Sequence, residues 1–183
     1  MDNFLKSTQG ELTIKTSGQS LYEITDKINS WLNNEHINSG QLTIFIKHTS
    51  ASLTIQENAS SDVLEDILDF FKKLVPEKSS FYRHNIEGKE DMPAHIKSML
   101  TQTSLTIPVN NNKLDLGTWQ GIFLFEHRHD SMKRKLKLTL VGMGENKVSS
   151  AICEDCKITE LAKSVTDIST ELKNQDLGIL FFQ

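Results

Sequence analysis

Leu105-Thr106-Ile107-Pro108-Val109 runs into the turn Asn110-Asn111-Asn112, then Lys113-Leu114-Asp115-Leu116, then Gly121-Ile122-Phe123-Leu124-Phe125-Glu126. Arg134 to Val141 follows, with Leu136, Leu138 and Leu140 alternating with Lys135, Lys137 and Thr139. Strand signals joined by short turns predict an antiparallel meander rather than βαβ units, whose parallel strands need long crossovers.

Upstream, Glu11 to Thr16 alternates apolar with polar and reads as a half-buried strand ending at Gly18. Leu21, Ile24, Ile28, Trp31 and Leu32 recur at helical spacing, predicting a helix over 21–33. Gln41 to Lys47 reads as a strand covered in part on both faces, and Leu53-Thr54-Ile55 as a short extended piece. Asp62, with Glu65 three residues on, resembles a capping box. It opens a helix whose stripe is Val63, Ile67, Phe70, Phe71 and Leu74, ended by Pro76. A short helix over 93–100 completes an α+β class: a largely antiparallel sheet with about three helices packed on it.

The chain has 183 residues and a net charge of −4. An acidic balance argues against nucleic acid as a partner. No apolar run approaches the roughly 20 residues that span a bilayer, so no membrane partner is expected. Met1 to Lys6 lacks the order of a secretory signal, and a cytoplasmic location is expected. From residue 144 the texture changes. Residues 144–183 read as a C-terminal extension, with a helix over about 157–173 and the apolar segment Ile179 to Phe182, beside a main domain over 1–143. Such a short piece cannot build much of a core alone. Cys153 and Cys156 form a C-x-x-C pair without further Cys or His downstream, and read as ordinary reduced thiols, with a minor redox or metal role as the alternative.

The densest chemistry lies in Tyr82-Arg83-His84-Asn85-Ile86-Glu87-Gly88 and Asp91-Met92-Pro93-Ala94-His95. Asp91 reads as a helix cap with Pro93 in the first turn. His84 on the incoming loop and His95 on the helix can then converge on a cation. Lys47-His48-Thr49-Ser50 and Glu126-His127-Arg128-His129 sit at strand ends, where side chains are held firmly but face loops. His36 reads as a surface histidine, and His127 and His129 as bystanders. Trp119, in Leu116-Gly117-Thr118-Trp119-Gln120-Gly121, reads as core rather than as a ligand wall.

Taken in order, His48-Thr49-Ser50-Ala51-Ser52-Leu53-Thr54, Glu57-Asn58, Tyr82-Arg83-His84, Asp91-Met92-Pro93-Ala94-His95-Ile96-Lys97, Leu116-Gly117-Thr118-Trp119-Gln120 and Glu126-His127-Arg128 resemble the YjbQ-like family, also called secondary thiamine-phosphate synthase, over about residues 6–143. The resemblance implies a homotrimer, a divalent metal, zinc or alternatively magnesium, and a small phosphorylated metabolite as ligand. It implies joining of a pyrimidine pyrophosphate to a thiazole phosphate with release of pyrophosphate. The rival expectations are metal-dependent hydrolysis of a small phosphorylated metabolite and a non-enzymatic trimeric binding module. Carried over by position, His48, His84 and His95 are the implied metal ligands. Glu126 stands as a general base or fourth ligand and Asn58 as its catalytic companion. Arg83, Thr118, Gln120 and Arg128 are the implied substrate contacts.

Overall fold

The computed structural model describes residues 3–78 and 80–145. Eight strands and three helices follow in the order β1 (Asn3–Ser17), β2 (Ser20–Glu23), α1 (Thr25–Leu32), β3 (Ile37–Ile46), β4 (Ala51–Glu57), α2 (Ser61–Leu74), α3 (Asp91–Leu100), β5 (Ser104–Asn110), β6 (Lys113–Leu114), β7 (Gln120–Glu126) and β8 (Ser131–Glu145). The class is α+β, and every pairing is antiparallel. The strand order is interleaved rather than a simple meander. One sheet runs β1-β8-β3-β5-β6 and the other β2-β7-β4, so only β5 and β6 are sequential neighbours. The extension's expected helix over 157–173, its apolar end and both cysteines lie outside the described residues.

Alternation dictates how the sheets pack. Leu136, Leu138 and Leu140 of β8 face inward beside Leu42, Ile44 and Ile46 of β3 and Leu105, Ile107 and Val109 of β5. Ala51, Leu53, Ile122 and Leu124 close this core from the smaller sheet, and Ile24, Ile28 and Leu32 pack into it. Phe123 and Phe125 of β7 point the other way, joining Leu21 beneath Leu64, Ile67, Leu68 and Phe71 of α2. The unbroken apolar run of β7 is therefore a central strand buried on both faces.

Four expectations shift. Leu21 belongs to β2, pairing with Phe125, because the chain bends at Ile24 before α1 begins. On α2 the packed stripe is Leu64, Ile67, Leu68 and Phe71, while Phe70 and Leu74 stay exposed. Asp62 is the second helical residue, and Ser60 is the N-cap without a side-chain capping bond. On β3, Phe45 faces solvent, so the strand is covered on one face only among the described residues.

Candidate metal centre

The loop before α3 turns back at Gly88, whose φ of +114° favours glycine. The Asp91 N–H donates to the Gly88 carbonyl at 3.3 Å, starting α3 just after this turn. His84 Nε2 thereby lies 2.7 Å from Asp91 Oδ2. His95, one helical turn beyond Asp91, brings its Nε2 to 3.4 Å of the same oxygen. One ligand atom from each of the three side chains lies within 4.8 Å of the others. His95 Nδ1 is 3.1 Å from the Thr49 carbonyl. It donates there, which leaves the Nε2 lone pair for the cluster, the usual arrangement of a metal-ligating histidine.

Arg128 secures the carboxylate from behind. Its Nη1 pairs with Asp91 Oδ1, and its Nη2 donates to the Glu87 carbonyl at 3.2 Å and lies 3.4 Å from Glu90 Oε1. Asp91 is buried while His84 remains exposed, so the cluster is anchored on one side and open on the other. A cavity of about 450 Å³ adjoins His84 and is lined also by Glu77, Lys78, Ser80, Tyr82, Asn85 and Lys89. Two imidazoles and a carboxylate with an open side suit a zinc-type catalytic site.

The cluster corrects several expectations. Asp91, expected as a cap, makes no capping bond; Glu90 is the N-cap and Asp91 joins both histidines. Its i, i+4 spacing from His95 was the available signal. His48 stands outside the cluster. Its Nε2 accepts the Lys135 N–H at 2.8 Å, a role that requires neutral imidazole, and burial together with the Arg134 guanidinium lowers its pKa.

Glu126 is fully buried and fully engaged. Oε2 accepts from Thr16 Oγ1 at 2.8 Å and Arg134 Nε at 2.7 Å. Oε1 accepts from the N–H groups of His127 and Arg128, both at 3.0 Å, and from Arg134 Nη2 at 2.5 Å. It is thus a structural anion holding a strand end, with no oxygen spare for a general base or fourth ligand. Arg128 holds protein carboxylates rather than a free anion-binding fork.

Asn58, Thr118 and Gln120 gather elsewhere. Ala51 pairs with Glu126 at one end of β4 and Glu57 with Gln120 at the other, six residues or ~20 Å away. Asn58 Nδ2 lies 3.4 Å from Glu23 Oε1, and Gln120 Oε1 accepts the Gly117 N–H at 2.8 Å. Trp119, expected in the core, is 65% exposed at that far end. Arg83 is exposed without a polar partner among the described residues. His127, read as a bystander to the site, is a buried side chain. Its Nε2 is 2.9 Å from Ser52 Oγ, and burial, with Lys97 and Arg134 nearby, pushes its pKa down to about 3.

Two antiparallel sheets sharing a core, with a histidine–carboxylate cluster at the start of one helix, define a small α+β protein of distinctive topology. Residues 10–143 match the family described as UPF0047 protein YjbQ-like, and the chain belongs to that family. It is 50% identical over 131 residues to the UPF0047 protein sll1880 of Synechocystis, covering 72% of this chain and 89% of that one. It is 41% identical to the UPF0047 protein YjbQ of Escherichia coli O157:H7, covering 73% and 97%. Among solved structures, a YbjQ-like protein of unknown function from Sulfolobus solfataricus P2 is similar with a TM-score of 0.70 and 27% identity, over 76% of this chain and 99% of that one. A YjbQ/UPF0047 family protein from Clostridium acetobutylicum gives 0.66 and 36%, over 71% and 98%.

Proposed function

We propose that this chain is a divalent-metal-dependent enzyme acting on a small phosphorylated metabolite, and that thiamine-phosphate formation is among its reactions. The observation that carries the reading is the His84, Asp91 and His95 cluster opening beside a cavity that carries Lys78 and Lys89. Imidazole nitrogens favour zinc over magnesium, which prefers oxygen ligands and keeps its waters. A divalent ion held there would supply Lewis acidity toward a phosphate oxygen. The chain's own contributions are distinct. His84, Asp91 and His95 would hold the ion, the Thr49 carbonyl orients His95, Arg128 positions Asp91, and Lys78 favours an anion in the cavity, while Lys89 is shared with Glu77 at 3.6 Å.

Thiamine-phosphate formation follows from the family resemblance, as does the homotrimer. A subunit interface would have the exposed Phe70, Leu74, Met99 and Leu100 of α2 and α3 to cover. Hydrolysis of a single phosphorylated metabolite is a second reading, favoured because one lysine-lined cavity adjoins the cluster.

Metal analysis of the purified full chain tests the site. His84→Ala, Asp91→Asn and His95→Ala should each lose most of the bound zinc, whereas His48→Ala should keep it. Full occupancy in the first three variants would refute the assignment. Pyrophosphate release requiring both the pyrimidine pyrophosphate and the thiazole phosphate supports the synthase reading. Orthophosphate release from either compound alone supports hydrolysis. Chelator-resistant turnover of either kind would refute a metal-dependent reaction.

A further inference from the structure

A second cavity, of about 270 Å³, lies between α2 and the smaller sheet. Its buried lining is Lys97, Phe125 and Glu126, and Leu68 forms an apolar wall. Glu65, Leu68, Asp69 and Lys72 line it as one stripe of α2, at i, i+3, i+4 and i+7. Lys97 is 4% exposed, and its ammonium forms no hydrogen bond or ion pair among the described residues. Glu126, the one buried carboxylate in the lining, is already committed to Arg134 and the 127–128 backbone. His95 and Lys97 are two residues apart on α3, about 200° around the helix, so this cavity and the metal cluster lie on different faces.

Glu77 offsets the enclosed Lys97 charge only from a distance and Lys72 opposes it, so an incoming carboxylate in direct contact would relieve a remaining cost. On the α2 wall the exposed carboxylates of Glu65 and Asp69 outnumber the single ammonium of Lys72, which disfavours a plain anion and favours a molecule whose other end is cationic. Leu68 and Phe125 accommodate a few methylenes between the two ends. We propose that this cavity binds a small amino-acid-like zwitterion, with its carboxylate on Lys97, its alkyl portion on Leu68 and Phe125, and its ammonium toward Glu65 and Asp69.

The test uses the full chain and three probes of matched length: 4-aminobutyrate, butyrate and butylammonium, followed by calorimetry and by methyl shifts of Leu68. The zwitterion should bind at least tenfold more tightly than either single-charge probe. Lys97→Met should lower its affinity at least tenfold while leaving zinc content unchanged. Glu65→Gln with Asp69→Asn, both on the exposed face of α2, should erase the advantage of 4-aminobutyrate over butyrate. The assignment is overturned if butylammonium binds as well as 4-aminobutyrate. It is equally overturned if none of the probes binds, if Lys97→Met retains the affinity, or if the α2 double variant retains the preference.

Discussion

The Glu126–Arg134 pair offers the sharpest test of what holds this molecule together. Both side chains are almost inaccessible, at 0% and 3% exposure, and they meet through two contacts of 2.5 and 2.7 Å. Glu126→Gln keeps the shape and removes the charge. The amide oxygen does best at the Oε1 position, where three donors converge. The new amide nitrogen then faces Arg134 Nε–H, a donor against a donor, and Thr16 Oγ1, which can rotate to accept. One hydrogen bond becomes a repulsive contact, and a buried guanidinium loses its counter-charge. Breaking a buried pair from one side costs about 3–5 kcal/mol. Retained bonds at Oε1 and at the Ser50 carbonyl, 3.2 Å from Arg134 Nη2, place the expected loss at ~3 kcal/mol, toward the lower end. For a chain of this size that is a Tm lowered by ~6–12 °C. Urea unfolding at pH 7 measures the loss directly, and zinc content should not change, because both Glu126 oxygens are already engaged within the protein. Arg134→Met in the Glu126→Gln background should cost less than it does alone, giving a coupling above ~1 kcal/mol. A Glu126→Gln variant that unfolds within ~1 kcal/mol of the parent would refute the structural role, and zinc loss on top of that would restore the site role.

Other outcomes follow from the same geometry. His127 has a folded pKa of about 3, below its unfolded value, so the unfolded chain binds the extra proton between the two. Its contribution is complete above pH ~6.5 and is lost as pH falls toward 3, by up to ~1.4 kcal/mol per unit; His127→Phe should flatten that limb in melts across this range. A Cβ at Gly142 would stand 2.3 Å from the Ser39 carbonyl oxygen and 2.6 Å from Gly40 Cα. Gly142→Ala should therefore lower the denaturation midpoint well beyond Gly10→Ala, whose Cβ meets the half-buried Trp31 indole at 2.3 Å, a side chain able to shift. Gly88→Ala forces a side chain into φ +114° and against Glu90, at ~1–3 kcal/mol, and zinc titration should show weaker binding because the turn sets the separation of His84 and Asp91.

What the sequence made legible was local. The alternation of Leu136, Leu138 and Leu140 identified a strand and its inward face, and the run Gly121 to Glu126 identified a second strand, though not its burial on both faces. Strand order was not legible, because inward-facing leucines on β8 pack equally well beside β5 or between β1 and β3. The pairing of Asn3–Ser17 with Ser131–Glu145 joins residues more than a hundred positions apart. Nothing in either segment alone names its partner.

The site divides along the same line. His84 and His95 could be linked because one loop and one helix carry both, and the i, i+4 spacing of Asp91 and His95 is a helix-level fact. Whether Asp91 caps the helix or faces the cluster depends on Arg128, 37 residues away, which ties down Oδ1 and leaves Oδ2 for the imidazoles. The same competition removes Glu126. A glutamate beside histidine and arginine reads as a base until Arg134 and two backbone N–H groups claim its oxygens. Carboxylates whose position in sequence looks equally catalytic are thus sorted by which oxygen the nearest guanidinium leaves free. Asp91 is held by one edge of Arg128 and keeps an oxygen for a ligand; Glu126 is held by both forks of Arg134 and keeps none.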